Sequence, residues 1–369
     1  MGYSSNNSVK SSEIDSIFQR AEKLRERSFY PQSLKLFRKA LLEYKKKRDA
    51  IGILHCTLSL GDTYRMTGNF NLAANNYIYS IELAKKIHAP LSLSDAKVGL
   101  ALSLRAQGKW RDALKLIRES RKTYQKTDDK QGTAFTLWAE AGALRIKGDI
   151  IKSIKVFKES YTLFKSLKDP QGVGYSLCGL GGTSRIAGLF KDSKNYYETA
   201  NKLFFEQKDT FGKAYSFCGI GNAYRMLNDY ERALRNFTKA TKLYKKMGDK
   251  VSYSYTLWGL GMTHSLIGND RKAHDYFMRS MKLFEKTKDP RGIIYCRLGL
   301  GQVSFISGRN TLAKNYIESS LNESIKNGFR VEACHARTLL SFMDGKRDRR
   351  CYNRLGLKLR FQGLPLNIP

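Results

Sequence analysis

The sequence predicts an all-α solenoid of stacked antiparallel helix pairs, and three periodic observations predict it. Stepping by forty from Gly181 lands on Gly61, Ala101, Ala141, Gly221, Gly261 and Gly301, all of them tiny. Stepping by forty from Gly188 lands on Gly68, Gly108, Gly148, Asn228, Gly268 and Gly308, with Ser28 as the earliest copy, and these mark a recurring tight turn. After each turn a small–large–small stripe repeats at spacings of four and three, as in Ala73, Tyr77, Ser80 and in Ala233, Phe237, Ala240. Such spacing keeps three side chains on one helical face. A fixed period in the range of 20–50 residues marks an array of units that bury their apolar faces only by stacking.

The elements follow in order. Residues 1–11 are polar, rich in Ser and Asn, and read as a disordered leader. The solenoid spans 12–345. Its first unit has helices on either side of Ser28-Phe29-Tyr30-Pro31, and Pro31 suits the opening turn of the second helix. Seven more units run to about Asn327. Between them stand Asp129, Asp169, Asp209, Asp249 and Asp289, each placed to cap the helix that follows. Val331 to Phe342 reads as a ninth first helix without a partner, an end cap. Residues 346–369 form a basic tail, in which KRDRRCYNRLGLKLR carries seven basic residues against one acid. Two readings of the tail stay open: a flexible arm for an anionic partner, or a segment folded back through Leu355, Leu357 and Leu359.

Composition narrows the function. The 66 Lys and Arg against 33 Asp and Glu leave a net charge of +33, beyond what solubility asks, and favour an acidic partner. No apolar run reaches the ~18 residues of a membrane-spanning helix. The start lacks the apolar core of a secretion signal, so the expected location is the cytoplasm, or the nucleus in a eukaryotic source. Six cysteines without a CxxC pair read as small apolar residues kept reduced. His264 with His274, and Cys334 with His335, show no metal-site spacing, and no metal or cofactor is expected. The glycines at 179, 181 and 182 lie inside a helix and read as packing positions rather than a phosphate loop. Glu140 stands where other repeats carry an apolar residue (Leu60, Leu100, Leu180), so it should reach solvent or a neighbouring cation.

A leucine then a glycine in the first helix, an aromatic three residues on (Tyr64, Tyr224), and an Ala–Phe–Ala stripe in the second resemble the tetratricopeptide repeat over more than nine-tenths of the chain. The period of forty departs from the ~34 of that family. The early Trp of the family is replaced by Thr57, Leu137, Leu177 or Phe217, and the closing Pro is missing. The long form is similar to repeats in spindle-orientation adaptors, rapsyn-like proteins and bacterial regulators. The resemblance implies a right-handed superhelix whose first helices line a concave groove for an extended peptide or helix.

Two further ladders step by forty without being core-like. One is Arg25, Arg65, Arg105, Arg145, Arg185 and Arg225; the other is Phe135, Tyr175, Tyr215, Tyr255 and Tyr295. Ten residues apart on one helix, they lie on adjacent faces, about 80° from each other. Between them runs a third column that includes Trp138 and Trp258. Guanidinium forks suit carboxylates and phosphates, and Tyr offers a flat surface with a polar tip. Structural alternatives stay open: Arg as a cation at each helix C-terminus, Tyr as packing between repeats. The reading is a non-enzymatic adaptor or scaffold holding an extended acidic peptide or protein segment in its concave groove. Arg65, Arg105, Arg145, Arg185, Arg225, the aromatic ladder, Trp138 and Trp258 are its candidate contacts. Single-stranded RNA along the same groove, or a purely structural scaffold or oligomer, are the alternatives, and a small-molecule ligand is not expected.

Overall fold

A computed structural model describes residues 13–359, 361 and 363–369; the expected leader at 1–11 lies outside them. Among the described residues every regular element is a helix. Eight antiparallel pairs follow one another: α1 (Glu13–Glu26) with α2 (Tyr30–Lys46), α3 (Ala50–Met66) with α4 (Phe70–Lys86), α5 (Pro90–Ala106) with α6 (Trp110–Lys126), and α7 (Lys130–Lys147) with α8 (Ile150–Ser166). Then come α9 (Pro170–Ala187) with α10 (Phe190–Glu206), α11 (Thr210–Met226) with α12 (Tyr230–Met247), α13 (Lys250–Leu266) with α14 (Asp270–Thr287), and α15 (Pro290–Ile306) with α16 (Asn310–Asn327). The end cap α17 (Arg330–Met343) closes the stack, and a short α18 (Arg350–Arg354), which no periodicity announces, follows it.

Local chemistry sets these boundaries. Asp49, Asp129, Asp169, Asp209, Asp249 and Asp289 each accept a hydrogen bond from the backbone N–H three residues on, satisfying one of the orphan donors of the helix they open. The turn inside each pair is left-handed. Gly188 sits at φ 86°, and Ser28 and Asn228 take the same conformation at 61° and 62°. A second left-handed ladder lies between pairs, at Arg48, His88, Asp128, Lys168, Lys208 and Lys288, completed by Gly248 and Gly328.

The tiny column is a row of notches for rings. Tyr197 of α10 is buried between Gly181 of its own pair and Gly219 of the next; an added Cβ would fall 2.7 Å from the ring at Gly181 and 2.1 Å at Gly219. Phe237 is held the same way by Gly221 and Gly259, and Phe277 by Gly261 and Gly299. Each ring therefore locks two successive repeats, which is how the stripe and the tiny column come to share one period. Glu140, buried in α7, takes Arg118 at 2.9 Å and Arg121 at 2.6 Å, so the one acid in the leucine column is paired with neighbouring cations as expected.

The stacked pairs wind until the superhelix meets itself. Tyr30 and Met247, more than five repeats apart, share a buried cluster with Ala214, Ala240 and Tyr244. The Trp110 indole donates to the Asn327 carbonyl at 3.0 Å, and Arg330 pairs with Asp149 at 2.7 Å. The concave side thereby lines a lumen whose cavities stay partly open to solvent.

Two expectations about the end of the chain are resolved by packing. The tail folds back: Leu357, Leu359, Phe361, Leu366 and Ile368 are all buried. The cysteines need a correction. Cys334 of α17 and Cys351 of α18 form a disulfide with Cα atoms 5.5 Å apart, while Cys56, Cys178, Cys218 and Cys296 are free. Only cysteines one repeat apart, on stacked helices, come under the spacing argument; α18 folds Cys351 back onto the cap instead.

Candidate functional site

The candidate residues come from the first helices of successive pairs and, apart from Trp138 and the fully buried Arg225, line two cavities of the lumen. A cavity of about 600 Å³ is lined by Arg65, Asp62, Asp95, Phe135 and Tyr175, among others. A second of about 300 Å³ is lined by Arg105, Arg145, Arg185, Tyr215, Tyr255, Trp258 and Tyr295. Successive ladder arginines stand near the C-termini of α3, α5, α7, α9 and α11, and the side chains of Arg105, Arg145 and Arg225 lean across to the next repeat. Arg105 Nη1 donates to the Ala139 carbonyl of α7 at 3.5 Å. A Cβ at Gly142 would fall 2.2 Å from Arg105 Nη1, and one at Gly182 would fall 2.7 Å from Arg145 Nη1. The two glycines are therefore seats for guanidinium groups. Among the described residues, no arginine of Arg65, Arg105, Arg145, Arg185 and Arg225 bonds a carbonyl in the last turn of its own helix.

The ladder changes character along its length. Arg65 meets Asp62 at 3.4 Å, and Asp62 also accepts from the Tyr77 hydroxyl at 2.7 Å. Burial alone would lower the Arg65 pKa, but Tyr77 and Asp62 outweigh it and the net shift is upward. Arg105, Arg145 and Arg185 have no carboxylate within ion-pair distance among the described residues. The Nε of Arg145 and the Nε and Nη1 of Arg185 are buried without a hydrogen-bond partner in the protein. Burial, and then the neighbouring Arg145 cation, bring Arg105 down to about 10. Burial also lowers Arg185, with Arg145 adding to the effect. Arg225 is fully buried; burial and then the Arg185 cation bring it down to about 9. These shifts describe stacked cations that lack anions, since guanidinium stays protonated at neutral pH.

The aromatic candidates are spoken for to different degrees. Tyr175 donates to Asp209 at 2.8 Å and Tyr255 to Asp289 at 2.9 Å, so each hydroxyl binds the capping carboxylate of the next repeat. Tyr295 is buried and donates to Glu332 at 3.1 Å. Burial, and then the adjacent carboxylate, push the Tyr175 and Tyr255 hydroxyls well above their ordinary pKa. Trp138 donates to the Tyr175 carbonyl at 3.2 Å and Trp258 to the Tyr295 carbonyl at 3.1 Å, tying neighbouring repeats. Arg105 lies over the Trp138 ring at 5.4 Å and Arg225 over Trp258 at 5.3 Å, so two indoles also serve as cation platforms. Phe135 stacks on Trp138 with centroids 5.6 Å apart and stays partly exposed, and Tyr215 is half-buried against Phe211.

Several lining groups escaped sequence reasoning. Tyr197 reads as core, yet its hydroxyl reaches the lumen beside Arg145: a Cβ on Gly182 would meet Tyr197 Oη at 2.9 Å and Arg145 Nη1 at 2.7 Å. The spacing of Gly142 and Gly182, each 37 residues after a ladder arginine, is the signal that could have shown where the guanidinium groups lie. Asn222 and Gln302 stand in the same forty-residue column as Gly142 and Gly182, and both bind chain or side chain at the far end of the lumen.

Comparison with known proteins agrees with the repeat architecture. The tetratricopeptide-repeat family model matches residues 92–166 and 214–286. Among curated proteins no sequence matches. Among solved structures, the Rap conjugation gene regulator of plasmid pLS20 in complex with the Phr* peptide aligns at TM-score 0.66 and 10% identity, over 85% of this chain and 95% of that one. A Rap protein complexed with competence and sporulation factor aligns at 0.63 and 12% identity, over 86% and 99%. NprR in complex with its cognate peptide NprX aligns at 0.56 and 13% identity, over 92% and 100%. At such identities these likenesses establish the fold and nothing finer.

Proposed function

We propose that this chain, a tetratricopeptide-repeat protein, is a non-enzymatic adaptor that holds an extended acidic peptide segment in its lumen. The observation that carries the reading is the run Arg105, Arg145, Arg185: three successive guanidinium groups around one cavity, none within ion-pair distance of a carboxylate among the described residues, two of them with buried unpartnered nitrogens. Buried donors without acceptors cost roughly 1–3 kcal/mol each, more when charged, and a bound carboxylate relieves that cost. The fork geometry suits carboxylate oxygens in pairs. The peptides bound in two solenoids of the same fold are support by analogy of architecture. Peptide is favoured over RNA because Tyr175, Tyr255 and Tyr295 have their hydroxyls committed to carboxylates and rings packed within the protein, which leaves no free row of platforms for bases.

The test is a binding titration with fluorescent nonapeptides that differ only in carrying Glu or Gln. The wild-type chain should favour the Glu series. Arg145→Gln with Arg185→Gln should weaken it at least about tenfold, since hydrogen bonds to charged groups are worth roughly 1.5–3 kcal/mol. The melting temperature should hold or rise, because neither side chain has an ion-pair partner among the described residues and both carry buried unpartnered donors. Equal binding of Glu and Gln peptides would end the reading. Retention from native lysate that vanishes on nuclease treatment would replace it with the nucleic-acid alternative.

A further inference from the structure

The far end of the lumen is occupied, and the occupant is the chain itself. After the disulfide at Cys351, the backbone N–H of Lys358 donates to the Ala187 carbonyl at 2.9 Å, an open acceptor at the end of α9. From there residues 363–369 run inward. The Arg225 guanidinium donates to the Ile368 carbonyl at 2.8 Å and to Asn367 Oδ1, and Asn367 Nδ2 donates back to the Arg225 carbonyl at 2.9 Å. The Leu366 backbone N–H donates to Gln302 Oε1 of α15. Leu366 and Ile368 are almost wholly buried, and Pro369 lines the same cavity as Arg105, Arg145 and Arg185.

These contacts have the chemistry of peptide recognition. Two are to backbone groups, one is a reciprocal amide pair, and the rest is apolar burial of alternate side chains, the pattern by which extended strands are read. Asn222 orients Arg225 at 3.2 Å from three residues back, as Asp62 meets Arg65, while Leu366, Asn367 and Ile368 belong to no repeat. The occupant has no charged side chain from 363 to 369, although it lies against Arg225, whose neighbour Arg185 is also a cation without an anion.

We propose that Arg225, Asn222 and Gln302 form a peptide subsite for an extended apolar strand bearing a side-chain amide, that residues 363–369 are its resident occupant, and that an incoming peptide which follows the lumen past Arg185 gains the subsite by displacing them. The last step rests on the peptide-binding reading above; the subsite and its occupant stand without it. In the closed state the tail limits a ligand to the part of the lumen around Arg105, Arg145 and Arg185. Displacement extends the contact by several residues and releases the segment after Lys358.

The test uses the full chain and a labelled peptide of the sequence FQGLPLNIP, amidated at its C-terminus, which carries no acidic group and so probes the subsite alone. In the wild-type chain the tethered segment outcompetes the free peptide. Leu366→Asp with Asn367→Ala expels the tethered copy, and this variant should bind the peptide at least about tenfold more tightly than wild type does. Equal binding by the two chains, or no binding by a variant whose circular dichroism is unchanged, overturns the proposal. Should the variant unfold, hydrogen exchange on the wild-type chain decides: the Leu366 amide should exchange as slowly as amides within α15. Exchange at the rate of unstructured chain overturns the proposal. Failure of the Glu-peptide titration with success here would leave the subsite intact and remove only its acidic partner.

Discussion

Gly219→Ala is the sharpest probe of how the repeats lock. In a helix interior the change is ordinarily favourable by up to about 1 kcal/mol, because glycine is the weaker helix former. Here the new Cβ would lie 2.1 Å from Cε1, 2.2 Å from Cδ1 and 2.4 Å from Cζ of Tyr197. Carbon atoms settle about 3.5–4.0 Å apart, so the ring must move by more than about 1 Å. It has nowhere to go: Gly181 closes the other side, with the ring 2.7 Å from the position of its own absent Cβ. Overpacking of this kind typically costs about 1–3 kcal/mol, and a ring clamped on both faces belongs at the upper end. The net expectation is a loss of about 2 kcal/mol. Tyr197→Leu removes the ring, and in that background Gly219→Ala should turn neutral or mildly stabilising, a coupling of about 2–3 kcal/mol in a double-mutant cycle. Urea denaturation gives the stabilities, and hydrogen exchange across α9 to α11 checks that the loss is local. A Gly219→Ala protein more stable than wild type, with Tyr197 in place, would refute the notch as the locking device.

Three other outcomes follow from single contacts. Glu140→Leu restores the residue found at Leu60, Leu100 and Leu180 and frees two arginines that are partly exposed; urea denaturation should show it neutral or stabilising, as is common when a buried ion pair gives way to a packed apolar side chain, and a loss above about 2 kcal/mol would contradict this. Burial raises the Asp249 carboxyl to about 6 against its backbone cap bonds, so the folded state holds its proton where the unfolded state has released it. That contribution to stability is fully present below about pH 4 and is lost as pH rises through about 6, on the order of 3 kcal/mol, and Asp249→Asn should remove this part of the slope in melts run from about pH 4 to 7. Reduction of Cys334–Cys351, which are 17 residues apart, or Cys351→Ser, should lower stability by about 3 kcal/mol on the loop-entropy account, seen as earlier melting of α17 and the tail under dithiothreitol.

The repeat architecture was legible because each structural demand recurs with the same residue chemistry. The turn at Gly188 needs a left-handed backbone, and the copies are Gly, Asn or Ser; the ring of Tyr197 needs a notch, and the copies are Gly, Ala or Ser. The joint between pairs makes the same left-handed demand, yet it is met by Arg48, His88, Asp128, Lys168, Lys208 and Lys288, residues that announce nothing. Strain there is outvoted by the packing on either side, so the ladder exists in the backbone and not in the alphabet. The guanidinium ladder was visible as a column, while its direction was not: the lean of Arg105 onto Gly142 depends on how far one repeat rotates against the next. Least legible were the contacts without a period. Arg225 with Asn367, Trp110 with Asn327 and Cys334 with Cys351 each happen once, between segments whose meeting is decided by the winding of the whole superhelix or by a single reversal of chain.

The meeting of the superhelix with itself changes what kind of object this solenoid is. An open array behaves as a one-dimensional chain in which each repeat feels only its neighbours, so its ends fray independently. Here Tyr30 against Met247, Trp110 against Asn327 and Arg330 against Asp149 join turns of the spiral that are far apart along the chain. Those contacts act as latches on a spring. Fraying at one end must break them before it gains freedom, which couples distant repeats into one melting unit. The same latches would bear on the proposed ligand: binding that needs the coil to open would be slowed by the contacts that hold successive turns together.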